Sequence, residues 1–95
     1  MNYEIMFIVR PNIEEEALKD VIKSFEKVLT DNKAKIESSK DFGQKELAYS
    51  IKGHKSGYYY LYEISSKDDK AQKEFDRLAL ISEDIIRHMI IRKNK

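Results

Sequence analysis

Four tyrosines, Tyr58, Tyr59, Tyr60 and Tyr62, fall within five positions of the stretch SGYYYLYE at residues 56–63. Rings at that density do one of two things. They stack on unpaired nucleic-acid bases, at roughly 1–3 kcal/mol per base, or they fill a small core while their hydroxyls reach its edge. Other chemistry-bearing groups are sparse. His54 and His88 are the only histidines and cysteine is absent, so the chain offers neither a thiolate cage nor a second ligand at metal spacing beside either histidine. The glycines at 43, 53 and 57 are dispersed and build no phosphate cradle, and no serine stands in a nucleophile elbow. The acids at 14–16 and at 83–84 suit a helix start and a turn rather than a general acid/base pair. The expectation is therefore no catalytic site, no metal, no cofactor and no small-molecule substrate.

Charge supplies the second signal. Residues 1–84 carry 14 cations and 17 acids, whereas residues 85–95 carry Arg87, Arg92, Lys93 and Lys95 with no acid. A basic end on a near-neutral body is the footprint of a polyanion site, or else a solvated tail. With 95 residues and 41% apolar content the chain is expected to form a single domain over residues 1–95, with a short basic end at about 92–95. The longest apolar runs are too short to cross a bilayer and the N-terminus lacks the layout of a signal peptide, so the expected setting is cytoplasmic, with no membrane partner.

These groups need elements to hold them. In YEIMFIVR, residues 3–10, Tyr3, Ile5, Phe7 and Val9 alternate with Glu4, Met6, Ile8 and Arg10, the period of a strand with one apolar face. Pro11 and Asn12 end it, and Asn12 followed by Glu15 reads as a capping box. Leu18, Val21, Ile22, Phe25, Val28 and Leu29 then form one helical stripe, ending near Asp31 and Asn32. A second strand is expected over about 34–51, bulged or bent at Gly43. KGHKSG, residues 52–57, reads as the turn into the tyrosine strand, 58 to about 65. A shorter helix over 67–80 carries Ala71, Phe75, Leu78 and Ala79 inward, capped by Ser66 or Asp68. Residues 85–92, IIRHMIIR, form the last strand. Strand, helix, strand, strand, helix, strand is the split pattern of an α+β ferredoxin-like βαββαβ sandwich, a four-stranded antiparallel sheet with two helices on one face.

Parity then assigns faces. Tyr58, Tyr60, Tyr62 and Ile64 turn under the helices with Tyr3, Ile5, Phe7 and Val9, and Ile86, His88 and Ile90 follow them from the last strand. Met6, Ile8, Tyr59, Leu61, Met89 and Ile91 are left on the open face, where a sheet normally turns polar. Six grouped apolar side chains call for a protein partner or self-association. Phosphate-ester and acyl-phosphate hydrolases also use this fold, with an anion-binding loop after the first strand. Here that position reads RPNIEEE, whose acids repel phosphate.

FGQKELAYSIKGHKSGYYYLYE, with Gly43, Lys45, Leu47, Ala48, Tyr49, Ile51 and Gly57, resembles the central signature of the bacterial small-subunit ribosomal protein S-six family. YEIMFIVRPN and EDIIRHMIIRKNK resemble that family's first and last strands, so the likeness covers essentially the whole chain. It implies a structural, ribosome-associated protein that binds the central domain of small-subunit rRNA together with ribosomal protein S-eighteen. Carried onto matching positions, it implies Tyr3, Arg87 and Arg92 as RNA contacts, with Lys93 added on charge. Relatives often have Trp, Arg and Pro where Phe42, Lys45 and Ser50 stand.

Two rival readings use the same fold. An RRM-like module would bind single-stranded RNA through rings on the open face, but parity leaves only Tyr59 there, where two or three are expected. A dimeric ligand-sensing domain would pair through its sheet and ignore RNA.

Overall fold

The computed structural model describes residues 2–93. Its elements are β1 (Asn2–Val9), α1 (Glu15–Asp31), β2 (Lys35–Ile51), β3 (His54–Ser65), α2 (Lys70–Ile81) and β4 (Ile85–Lys93). The strands pair antiparallel in the order β2-β3-β1-β4, so β1 and β3 are central and β2 and β4 are edges. The expected ferredoxin-like architecture is the one observed.

Strand parity places the core. Tyr3, Ile5, Phe7 and Val9 of β1 and Tyr60, Tyr62 and Ile64 of β3 pack beneath Phe25 and Leu29 of α1 and Ala71, Phe75 and Ala79 of α2. Phe7 is the hub: its ring stacks on Tyr60 at 5.4 Å and meets the edge of Phe75 at 5.5 Å. Burying such a ring contributes roughly 1.5–3 kcal/mol, and ring pairing adds about 0.5–1.5 kcal/mol. Most of the tyrosine run is thus core. On the same side His88 of β4 lies against α2, with Nε2 2.7 Å from Asp76 Oδ1.

Four local expectations are corrected. Helix α1 starts at Glu15 behind Glu14, and Asn12 makes no cap: its carbonyl accepts from the Arg10 guanidinium. Arg10 is itself tied to β4's entrance, its backbone N–H donating to Asp84 O and its Nε to Asp84 Oδ1, both at 2.8 Å. Helix α2 starts at Lys70 rather than 67, because Asp68 Oδ1 accepts the Lys70 N–H at 3.0 Å and holds the preceding residues in a turn.

The KGHKSG segment is mostly strand. Ile51 pairs with His54, and the turn is only Lys52 and Gly53, with φ of +50° and +82°. Positive φ at both central residues is the twist-matched hairpin geometry that glycine accepts readily. The bend expected at Gly43 is present as a register shift between Asp41 and Gly43, with φ +73° at Gly43.

The last correction concerns Ile86. Val9 pairs with Ile85 and Ile8 with Arg87, so Ile86 is the extra residue of a bulge. Ile85 takes the core position. Ile86 is buried too, at 4% exposure, but outside the core cluster. It sits beside Ile8 on the open side, where a Cβ at Gly57 would lie 2.4 Å from Ile8 Cγ2 and 3.5 Å from Ile86 Cδ1. Position 57 therefore has room only for glycine.

Candidate RNA and partner interfaces

Register turns the open face into rows across β4, β1 and β3. Arg87, Ile8 and Tyr59 form one, Met89, Met6 and Leu61 the next, and Ile91, Glu4 and Glu63 the third. The six apolar side chains expected on this face are therefore brought together as one patch. Ile8 is its buried floor at 2% exposure, while Met89 and Ile91 are 37% and 48% exposed at the β4 edge. Next to Ile91 the patch turns polar. Lys93 Nζ reaches Glu4 Oε2 and Glu63 Oε2, both at 3.6 Å, so its charge is already shared by two carboxylates that face each other across β1 and β3.

The four expected RNA residues are not one cluster. Tyr3 is in register with Arg92 and 5% exposed, inside the core. Arg92 therefore projects on the helix side and Arg87 on the open side, five residues apart on one strand, about 17 Å at strand rise. Both are exposed, and because β4 is an edge strand a polyanion running along that edge can reach both. Of the expected basic end, Asn94 and Lys95 lie outside the described residues.

The tyrosines divide by environment. Burial pushes the Tyr60 phenol above its ordinary pKa, with Asp41 adding to the effect. Tyr62 is raised further, by burial and then by its 2.9 Å hydrogen bond to Glu26 Oε2. Neither phenol ionises near neutral pH, and neither ring is a stacking platform. Tyr59 alone of the run faces the open side.

Sequence reasoning missed what stands over that face. β1 pairs with β3 only as far as Val9 opposite Tyr58, so β2 and β3 continue past the sheet as a two-stranded arm. In the arm the register jumps from Glu46–Ser56 to Ile51–His54, so the residues at 47–50 have only Lys55 opposite them. This excess bends the arm over the face and leaves a groove of about 230 Å³ between Leu47, Ala48, Tyr49 and Ile51 and the side chains of Met6, Ile8, Tyr59, Arg87 and Met89. A cue existed: LAYSI is too apolar for a solvated hairpin, since alternation there would be polar.

Among the described residues no group of three or more His, Asp or Glu is arranged to hold a metal ion. No helix is long and apolar enough to cross a membrane.

A four-stranded antiparallel sheet carrying two helices on one face, an apolar patch on the other and cations along one edge defines a ferredoxin-like binding domain. A profile of the Ribosomal protein S6 family matches residues 2–92, and the chain belongs to that family. Among solved structures it is similar to 30S ribosomal protein S6 from Thermotoga maritima, at 28% identity and a TM-score of 0.91, over 97% of this chain and 86% of that one. The chain is thus an RNA-binding protein of the small ribosomal subunit.

Proposed function

We propose that the protein is a structural component, not an enzyme, that fixes the central domain of small-subunit rRNA jointly with ribosomal protein S-eighteen, as a single domain working on the ribosome in the cytoplasm. The observation that carries the reading is the adjacency of two surfaces on β4. From Ile85 to Lys93 this edge strand holds no acid and exposes Arg87 and Arg92, while its Met89 and Ile91 open directly onto the apolar patch.

In this reading the rRNA backbone runs along the β4 edge, and Arg87 and Arg92 neutralise phosphates from opposite faces of the strand. Such contacts set position and orientation rather than read sequence. Two free arginines bind weakly alone. S-eighteen covers the patch of Met6, Ile8, Tyr59, Leu61, Met89 and Ile91 and brings its own contacts to the same RNA, which converts two weak events into one tight one. Lys93 contributes less than its charge suggests, because Glu4 and Glu63 already hold it.

Titration calorimetry of the protein with S-eighteen, comparing Met89→Asp with the unchanged chain, tests the partner half. Loss of binding at unchanged melting temperature supports it, and unchanged binding refutes it.

A further inference from the structure

Beyond the β4 edge, we propose that the β2–β3 arm is a second RNA contact, in which Tyr49 stacks on an unpaired base while Lys52 and Lys55 take the neighbouring phosphates. The inference rests on the RNA-binding reading above, but on a different part of the molecule.

Three observations carry it. First, Tyr49 is 80% exposed, more than any other exposed large hydrophobic side chain among the described residues. It stands on the β2 excess at 47–50, opposite Lys55. A ring placed so has no core to serve, and an exposed aromatic on a projecting arm is suited to a flat, π-faced ligand.

Second, cations outnumber acids around it. Residues 47–62 contain Lys52 and Lys55 and no acid. Among the described residues neither lysine, nor Arg87, joins an ion pair. Third, Tyr49 borders two grooves at once, one with Lys55 and Glu46 in its wall and one with Arg87. A nucleotide whose base lies on the solvent-exposed side of the Tyr49 ring, away from the apolar patch, has Lys52 and Lys55 on the same arm for its phosphates. Continuity from Arg87 to the arm extends the β4 track around one end of the sheet. Lys52, Lys55 and Arg87 outweigh the single acid of the arm, Glu46, and that excess of positive charge around an exposed ring favours a polyanion with bases over an apolar peptide.

The test is filter binding to a transcript of the rRNA central domain, in the presence of S-eighteen, across a salt series. Lys52→Gln/Lys55→Gln should flatten the dependence of log Kd on log salt by about 1.5, the share of two phosphates. Tyr49→Ala should weaken binding about five-fold or more, and Tyr49→Phe should restore it. Melting temperatures of all three should match the unchanged chain, since none of these side chains is in the core.

If arm variants leave slope and affinity unchanged while Arg92→Gln lowers the slope, the edge reading stands and the arm inference is wrong. The arm inference is equally wrong if Tyr49→Ala reduces S-eighteen affinity without altering RNA binding by the preformed pair. If the unchanged chain fails to bind the transcript with S-eighteen present, the underlying RNA reading fails instead.

Discussion

Tyr62 of β3 donates its phenolic hydrogen to Glu26 Oε2 of α1 across 2.9 Å, joining the middle of the sheet to the helix that covers it. Tyr62 is 1% exposed, so its hydroxyl takes a protein partner in place of water. Hydrogen bonds of this charge-assisted kind contribute about 1.5–3 kcal/mol when both groups are desolvated, less here because Glu26 is half-buried. Tyr62→Phe should cost about 1–2 kcal/mol in urea denaturation at pH 7.

The same pair sets a pH dependence. The folded-state pKa of Tyr62 is raised, by burial first and by Glu26 second. A raised pKa means the neutral phenol is favoured in the folded chain, so its contribution is complete below about pH 10, the unfolded value, and declines above it as the unfolded phenol ionises. Between pH 9 and 11 the unchanged chain should lose stability faster than Tyr62→Phe, narrowing their difference in urea midpoint. A difference that stays constant or widens over that range would refute the assignment.

Gly57 is required by close approach. A methyl there would meet Ile8 Cγ2 at 2.4 Å and Val9 O at 2.9 Å, the second being backbone that cannot step aside. Gly57→Ala should destabilise by about 1–3 kcal/mol, a drop of roughly 4–8 °C in melting temperature per kcal/mol. Melting within 2–3 °C of the unchanged chain, under about 1 kcal/mol on the same scale, would show that the hairpin can shift to make room.

Lys93 and Arg92 are neighbours in sequence with opposite duties. Removing Lys93 leaves Glu4 and Glu63 directly opposed across β1 and β3, and facing like charges cost about 0.2–1 kcal/mol. Lys93→Ala should therefore lower stability slightly and hardly alter the salt dependence of RNA binding. Arg92→Ala should do the reverse, reducing the slope by about 0.7–0.9 while leaving stability within about 0.5 kcal/mol. Equal effects of the two on RNA binding would contradict this division.

These contrasts follow how the chain encodes itself. Period-two alternation in β1 and β3 and the stripe of α1 are local, and they sufficed to place Phe7, Tyr60, Tyr62 and Phe25 in one core and Met6, Leu61 and Met89 on the other face. What was not readable depends on partners distant in sequence. Ile86 changes face because of a bulge set by pairing with Ile8 and Val9, and strict alternation cannot count an extra residue. Asn12 loses its capping role to Arg10, whose position is fixed by Asp84, 74 residues away. The arm was hidden because Lys52-Gly53 lacks the Asn-Gly form that announces a two-residue turn. Tyr3 lies in the core where parity put it, but its register with Arg92 depends on how β4 pairs with β1 and could not be read locally.

The most direct measurement is filter binding of the purified protein to a transcript of the rRNA central domain, with and without ribosomal protein S-eighteen. Tight, salt-sensitive binding only when both proteins are present is the predicted result, and it requires the basic edge and the apolar face to act together. Equally tight binding without S-eighteen, competed by short unstructured RNA, would contradict the account and make the protein a single-strand binder working alone.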